Sequence, residues 1–444
     1  MAAADCGRRR ATTSNNLSMN SGSHAPFSGP ERAILVGVEL PDATTDIESS
    51  LDELGSLADT AGACVVDRLT QRRERVHPAL FIGKGKAADI AEKCSELKAD
   101  LVVFDHDLSP AQVRNLEREL GVRVIDRTEL ILDIFARRAR TKQARLQVEL
   151  AQLQYQLPRL RRMWTHLSRI EGGIGLRGPG ETQIEVDRRR ARTRIRDLER
   201  SLEHIQTRKS LETSGRKEFF TVALVGYTNV GKTALMNALT GEALLAENRL
   251  FATLDATTRR LDLPSGQSAL LSDTVGFIQN IPHHLVASFH ATLEEVREAD
   301  LILHVVDVSH PERRSQVQSV DGVLLNLKCT DKPTLYVLNK CDLLEEGAKP
   351  MHLEQFEFSV LVSARTGVGL EALRNQIESR AEQNRVEMDV VLPASEGKVA
   401  AYIAEHGNVL ERHYEDARVH LKARLLPRHA HRVRKMMAEL TQCE

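Results

Sequence analysis

The chain is poor in aromatic residues: Trp, Tyr and Phe together make up 4% of its 444 residues. A surface that grips nucleic acid mainly by stacking bases on rings is therefore not expected. Its six cysteines, Cys6, Cys64, Cys94, Cys329, Cys341 and Cys443, form no C-x-x-C pair, which excludes zinc ribbons and dithiol redox motifs. Scattered thiols suit a reducing compartment, and the cytoplasm is the expected location. No apolar run reaches the roughly 18 residues that a membrane span requires. An excess of one charge is also missing. Lys and Arg number 61 against 62 Asp and Glu, a net charge of -1, so any preference for nucleic acid must be local. Residues 1–30 are rich in Ser, Asn, Ala and Arg and read as a disordered tail. Arg8–Arg10, with few acids nearby, hint at an organelle transit peptide; with no amphipathic apolar face, a plain tail is the reading taken.

The length suits about three domains. Apolar runs at Ala33–Val38, Cys64–Val66, Leu101–Phe104 and Val122–Ile125 alternate with helical stretches at 45–60, 85–98 and 109–120, which predicts an α/β domain with a parallel sheet over 31–138. Ser109-Pro110 is a helix start, with Pro at the first helical position. Gly83-Lys84-Gly85-Lys86 reads as an ordinary helix start before it reads as an anion site.

Over 139–218 the pattern changes. Leu146, Leu150, Leu153 and Leu157, and then Ile195, Leu198, Leu202 and Ile205, each draw a narrow apolar stripe on a helix. Between them lies Gly172–Gly180, whose five glycines and one proline oppose a helix, so a helical hairpin with a glycine-rich tip is expected. From Arg159 to Arg200 there are twelve arginines against six acids, a local +6. Arg suits planar, bidentate contact with phosphate, which makes Arg177, Arg188, Arg189, Arg190 and Arg192 candidate RNA contacts; a solvated, salt-bridged helix is the plainer alternative.

Four signatures in series then define a nucleotide domain over 219–384. Gly226-Tyr227-Thr228-Asn229-Val230-Gly231-Lys232-Thr233 follows a buried strand and matches the phosphate-binding loop. Its amides and the following helix start suit phosphate oxygens, Lys232 suits the β- and γ-phosphates, and the Thr233 hydroxyl suits Mg²⁺. Asp273-Thr274-Val275-Gly276 places a carboxylate near the metal and an unobstructed amide near a γ-phosphate. Asn339-Lys340-Cys341-Asp342 supplies a carboxylate that accepts from guanine N1–H and its exocyclic amine, a pair that adenine lacks. Ser363-Ala364-Arg365 offers an amide to the guanine oxygen. Strand-like runs at Thr221–Val225, Ala269–Leu271, Leu301–Val306, Thr334–Leu338 and Ser359–Val362 predict a doubly wound sheet with its ligand at the strands' carboxyl ends. The loop 250–259 must supply the first-switch threonine, and Thr253, Thr257 and Thr258 compete for that role. Phe277 stands where a glutamine would orient the attacking water, so unaided hydrolysis of GTP is expected to be slow and the catalytic group stays unassigned. Residues 385–444 read as a small α/β domain, whose last helix carries Arg428, His429, His431, Arg432, Arg434 and Lys435 for RNA or for solubility.

Gly173-Ile174-Gly175-Leu176-Arg177-Gly178-Pro179-Gly180-Glu181-Thr182-Gln183 resembles the hallmark of the HflX family of GTPases, and Gly226–Thr233, Leu250–Asp255 and Asp273–Phe277 match that family too. The resemblance covers residues 32–380. It implies an N-terminal α/β domain, a helical linker, a GTPase domain and in some members a C-terminal domain. It also implies binding to the large ribosomal subunit and its rRNA, and splitting or rescue of stalled ribosomes under stress, by a monomer cycling between GTP and GDP. By position, Phe251, Ala252, Thr253, Leu254 and Asp255 match the first-switch nucleotide segment, with Thr253 as its magnesium threonine. Asn229 resembles the asparagine that binds potassium in some translation-related GTPases, which adds K⁺ to Mg²⁺ as a cation to test. Arg365 stands where Lys is commoner, and Ala256 where Pro is frequent. The rival reading is a GTP-gated adaptor that docks a protein helix on the hairpin's leucine stripe.

Overall fold

The computed structural model describes residues 30–41, 46–159, 179–212, 219–241, 250–251, 256–279, 290–344, 359–393, 397–415 and 418–441. The first sheet is parallel, in the order β2-β1-β3-β4, built from β1 (Arg32–Glu39), β2 (Cys64–Arg72), β3 (Leu101–Phe104) and β4 (Arg123–Asp126). β1 and β3 are covered on both faces, which is why they read as unbroken apolar runs. Helices α1 (Ile47–Ala61), α2 (Lys84–Glu96) and α3 (Pro110–Leu120) join the strands. α3 starts as Ser109-Pro110 predicts: Ser109 Oγ accepts from the Gln112 N–H at 3.3 Å, and the Gln112 side chain accepts from the Ser109 N–H at 2.9 Å. Gly83 opens α2 with its N–H held by Gln71 Oε1 at 3.0 Å, so a helix start accounts for that loop. α4 (Arg127–Arg138), which no sequence expectation covered, follows β4 directly, with Asp126 capping it at Glu129 N, 2.9 Å.

α5 (Lys142–Gln156) and α6 (Pro179–Glu212) lie against each other, and Arg194 forks onto Glu149 at 2.7 and 2.9 Å. Both apolar stripes are withdrawn from solvent, with Leu150 and Leu198 buried and the other six half-buried. A second, deeper face of α5, Ala144, Val148, Ala151 and Tyr155, joins the core around Ile131 and Phe135 of α4. Two expectations need correction. Pro179 and Gly180 belong to the helix: proline has no N–H to lose in a first turn, so α6 begins inside the glycine-rich stretch. Arg159 is no solvent-facing arm residue; it binds the buried Asp126 carboxylate at 2.9 Å and lies over the Tyr155 ring at 3.4 Å. Burial raises the Asp126 pKa, and the Tyr155 and Arg159 hydrogen bonds hold its charge. Gly172–Gly178, with Arg177, lie outside the described residues.

The second sheet runs β10-β9-β8-β5-β7-β6. Its strands are β5 (Phe220–Gly226), β6 (Thr257–Asp262), β7 (Ser268–Asp273), β8 (Leu301–Asp307), β9 (Thr334–Asn339) and β10 (Ser359–Leu361). All pair in parallel except the edge strand β6, antiparallel to β7. α7 (Lys232–Thr240), α8 (His290–Glu298), α9 (Arg313–Asn326) and α10 (Leu370–Gln383) accompany it. β6 corrects the reading of 250–259 as one loop. Thr257–Arg259 are strand residues, and the Thr258 hydroxyl is held by Ser272 at 2.9 Å and Glu295 at 3.2 Å. Thr258 is thereby removed from the competition for the switch.

The third sheet is antiparallel, β11 (Val386–Pro393)–β13 (Arg418–Leu425)–β12 (Gly407–Glu415), with α11 (Gly397–His406) and α12 (Pro427–Thr441) packed on Val390, Leu421 and Leu425. In α12 two of the basic residues are structural. His429 is buried, 2.8 Å from the Tyr402 hydroxyl, and Arg428 binds the Phe219 carbonyl and Asp300.

Candidate nucleotide site

The four signatures converge at the carboxyl ends of β5, β7, β9 and β10. The first loop leaves β5 at Gly226 and enters α7 at Lys232. Gly231 sits at φ 92°, and a Cβ there would stand 2.5 Å from Asn339 Nδ2. No other residue fits that approach. Asn339 ties the loops together: its Nδ2 donates to the Val230 carbonyl at 2.8 Å, and its Oδ1 accepts from the Ala364 N–H at 3.0 Å. Lys340, at φ 65°, pairs with Asp307 at 2.6 Å, and Cys341 is half-buried beside it. The Asp342 carboxylate is held from both sides, by Ser363 Oγ at 2.6 Å and Arg365 Nε at 3.3 Å. Arg365, the departure from the usual Lys, thus helps to orient it.

Lys232 is buried and donates to the Gly226 and Tyr227 carbonyls at 3.0 and 2.7 Å. Burial lowers its pKa to about 8, with Asp273 opposing the shift. An ammonium held by neutral carbonyls is poised for an anion. Thr233 Oγ1 donates to Asp273 Oδ2 at 2.7 Å, so the two candidate metal-side groups already touch. Thr274 turns inward to the Leu224 carbonyl at 2.6 Å, and Val275 is buried, so at these two positions only the backbone faces the site. The chain then doubles onto the first loop: Phe277 N donates to Gly226 O at 3.1 Å, and Thr228 N to Phe277 O at 2.7 Å.

The structure separates other expected site residues. The Tyr227 ring points away from the loop's interior; its hydroxyl donates to Glu53 of α1 and accepts from Gln279 N at 2.8 Å. Phe251 packs edge-on against Phe135, ring centroids 4.6 Å apart, so its side chain serves the core. Both side-chain placements have one cause: large rings are most stable where the first and second sheets' units close on each other. Arg189, Arg190 and Arg192 are exposed on α6, and Arg188 is half-buried. Ala252, Thr253, Leu254, Asp255 and Arg177 lie outside the described residues. Among the described residues no group of three His, Cys, Asp or Glu is placed to hold a metal by itself.

Two participants escaped the sequence reading. His304 in β8 is buried behind Lys232, and burial, then the nearby ammonium, push its pKa down to about 3, so it stays neutral. Its signal was one polar residue in a strand otherwise apolar from Leu301 to Val306. Arg127, 2% exposed, pairs with Glu53 and with Asp105 at 2.6 Å and so fixes the acid that holds Tyr227. No local motif marks it.

Family models match along the chain: "GTP-binding GTPase N-terminal" over 48–136, "GTP-binding GTPase Middle Region" over 138–216, "50S ribosome-binding GTPase" over 221–340 and "HflX C-terminal domain" over 351–444. A GTPase HflX from Magnetococcus marinus is 48% identical over 387 residues, covering 86% of this chain and 89% of that protein. The GTPase HflX of Escherichia coli K12 is 42% identical over 405 residues, covering 90% of this chain and 94% of its own. A GTP-binding protein from Sulfolobus solfataricus, solved with GDP, covers 80% of this chain and 99% of its own at 26% identity, with a TM-score of 0.42.

Proposed function

Since this chain belongs to the HflX family of GTPases, and so binds and hydrolyses GTP, we propose that the γ-phosphate gates its attachment to the large ribosomal subunit. The observation that carries this reading is the match of 221–340, the nucleotide sheet, to a ribosome-binding GTPase model. The arm supports it: Arg189, Arg190 and Arg192 are exposed on α6, and further along the helix Gln206 Nε2 donates to Glu294 Oε1 at 3.0 Å. Glu294 lies on α8, the first described helix after Asp273–Gly276, so a change in that switch has a short path to the arm. Splitting or rescue of stalled ribosomes under stress is the role that fits, performed by a cytoplasmic monomer.

Within the site, Lys232 holds the β- and γ-phosphates, the Gly276 amide senses the γ-phosphate, and Asp342 with the Ser363–Arg365 loop selects guanine. The Thr233–Asp273 pair fits a magnesium ion that completes its shell with phosphate, water and Thr253. Bound there, magnesium would neutralise charge developing on the phosphates. Hydrolysis is slow unaided because Phe277 is buried and carries no hydrogen-bonding group. Potassium at Asn229 is a separate part of the proposal; equal turnover in sodium and potassium buffers removes it. The adaptor reading is disfavoured because the middle of the stripe it needs, Leu150 with Leu198 only 1% exposed, is already covered.

Gradient sedimentation with ribosomes tests the gate. Co-migration with a non-hydrolysable GTP analogue and not with GDP is expected, and steep weakening with salt would identify phosphate contacts. Equal co-migration in both nucleotide states would overturn it.

A further inference from the structure

The water-orienting group has no occupant at Phe277, yet one hydroxyl within the phosphate loop stands unused. Thr228 is 5% exposed, and its Oγ1 is buried with no hydrogen-bond partner. A buried hydroxyl left unpaired destabilises the fold that keeps it, and valine would fill the same space without that penalty. Its surroundings show what it faces. A Cβ on Gly276 would stand 2.9 Å from both Thr228 Cα and Cγ2, and 3.0 Å from Lys232 Nζ. Thr228 therefore shares one corner with the ammonium and the amide that are assigned to the γ-phosphate. Its backbone is pinned there, because Thr228 N donates to Phe277 O at 2.7 Å. Rotation about χ1 to another staggered position can place Oγ1 where Cγ2 now stands, facing Gly276.

We propose that the Thr228 hydroxyl is the water-orienting group for GTP hydrolysis in this chain. It accepts a hydrogen bond from the attacking water and donates its own proton to a γ-phosphate oxygen. The water oxygen bonds to the γ-phosphorus while the bond from that phosphorus to the bridging oxygen breaks. The electron pair leaves with GDP, and the water's proton ends on the released phosphate. Thr228 neither gains nor loses a proton overall. Gln279, the next amide along the chain, is ill placed to compete: its backbone N–H serves the Tyr227 hydroxyl, and its side-chain NH₂ donates to Ser315 at 3.0 Å. The inference rests on the nucleotide site proposed for Gly226–Thr233.

Single-turnover hydrolysis by the full chain tests it, with Thr228→Val, Thr228→Ala and Thr228→Ser beside Lys232→Ala. Thr228→Val and Thr228→Ala are expected to slow hydrolysis about a hundredfold. GDP affinity should change less than about threefold, and the melting temperature of nucleotide-free Thr228→Val should equal or exceed that of the native chain. Thr228→Ser should recover most of the rate, because it restores the hydroxyl without the methyl. Native rates in Thr228→Val or Thr228→Ala would overturn the proposal, as would a Thr228→Ser as slow as the valine variant. Should Lys232→Ala hydrolyse GTP normally, the site itself is misplaced and both readings fall. A silent Lys232→Ala beside a fast Thr228→Val sinks only the role of Thr228.

Discussion

The hydroxyl of Tyr227, in the phosphate loop, donates to the carboxylate of Glu53 on α1, so the first sheet's unit and the nucleotide loop share a half-buried hydrogen bond. The same oxygen accepts from Gln279 N at 2.8 Å, which brings the segment after Phe277 into the link. Burial, and then the Glu53 charge, push the Tyr227 pKa well above its ordinary value, so the donor survives at alkaline pH. Tyr227→Phe keeps the ring and leaves the Gln279 N–H unpaired. A loss of about 1–3 kcal/mol in urea unfolding is expected. An unchanged midpoint would show that the link carries no stability.

Arg127 bears a larger share of that link. It is 2% exposed and is the shared cation of two carboxylates, Glu53 and, at 2.6 Å, Asp105. Arg127→Met leaves two carboxylates without their cation, and a loss of about 3–5 kcal/mol is expected. Replacing all three by apolar residues should recover much of it, since a buried ion pair contributes little beyond its own desolvation. A triple variant as unstable as the single one would contradict this account.

Lys232 gives the nucleotide-free protein a pH signature. Its pKa is about 8 in the folded chain against the ordinary 10.5. Between those values the unfolded chain binds more protons than the folded one, so stability rises with pH across that window. The gain is on the order of 3 kcal/mol at its limit, and below pH 8 the full penalty applies. Lys232→Met should abolish this rise, and saturating GTP should flatten it by giving the ammonium an anion. Denaturation midpoints from pH 7.5 to 10.5 check both; a native-like slope in Lys232→Met would assign the effect to another group.

The parts that were legible in the sequence are those where neighbouring residues decide the local physics. A run such as Ala33–Val38 can only be a buried strand, Ser109-Pro110 can only open a helix, and Gly231 fits a turn that no side chain tolerates. What stayed hidden depends on residues far apart in the chain. Tyr227 meets Glu53 across 174 positions, and Arg159 meets Asp126 across 33, so neither pairing leaves a local trace. β6 was missed for another reason: the threonines of Thr257–Arg259 suit a metal-binding loop and an edge strand equally well.

Base selection offers the most direct reading of the third signature. Asp342 is oriented by Ser363 Oγ at 2.6 Å and Arg365 at 3.3 Å, which fixes where a purine's edge must lie. Two donors of guanine, N1–H and the exocyclic amine, meet the two carboxylate oxygens. In Asp342→Asn one oxygen becomes an NH₂, so a donor faces a donor and the charge is gone. Losing one charge-assisted bond and opposing another should weaken GTP binding by about 3 kcal/mol or more, at least a hundredfold. Xanthine carries a carbonyl where guanine has its amine, and it should recover much of that loss. Competition of GTP, XTP and ATP for both proteins measures the change. Native selectivity in Asp342→Asn would remove this carboxylate from the base pocket, leaving Ser363 and Arg365 orienting a group that the nucleotide never touches.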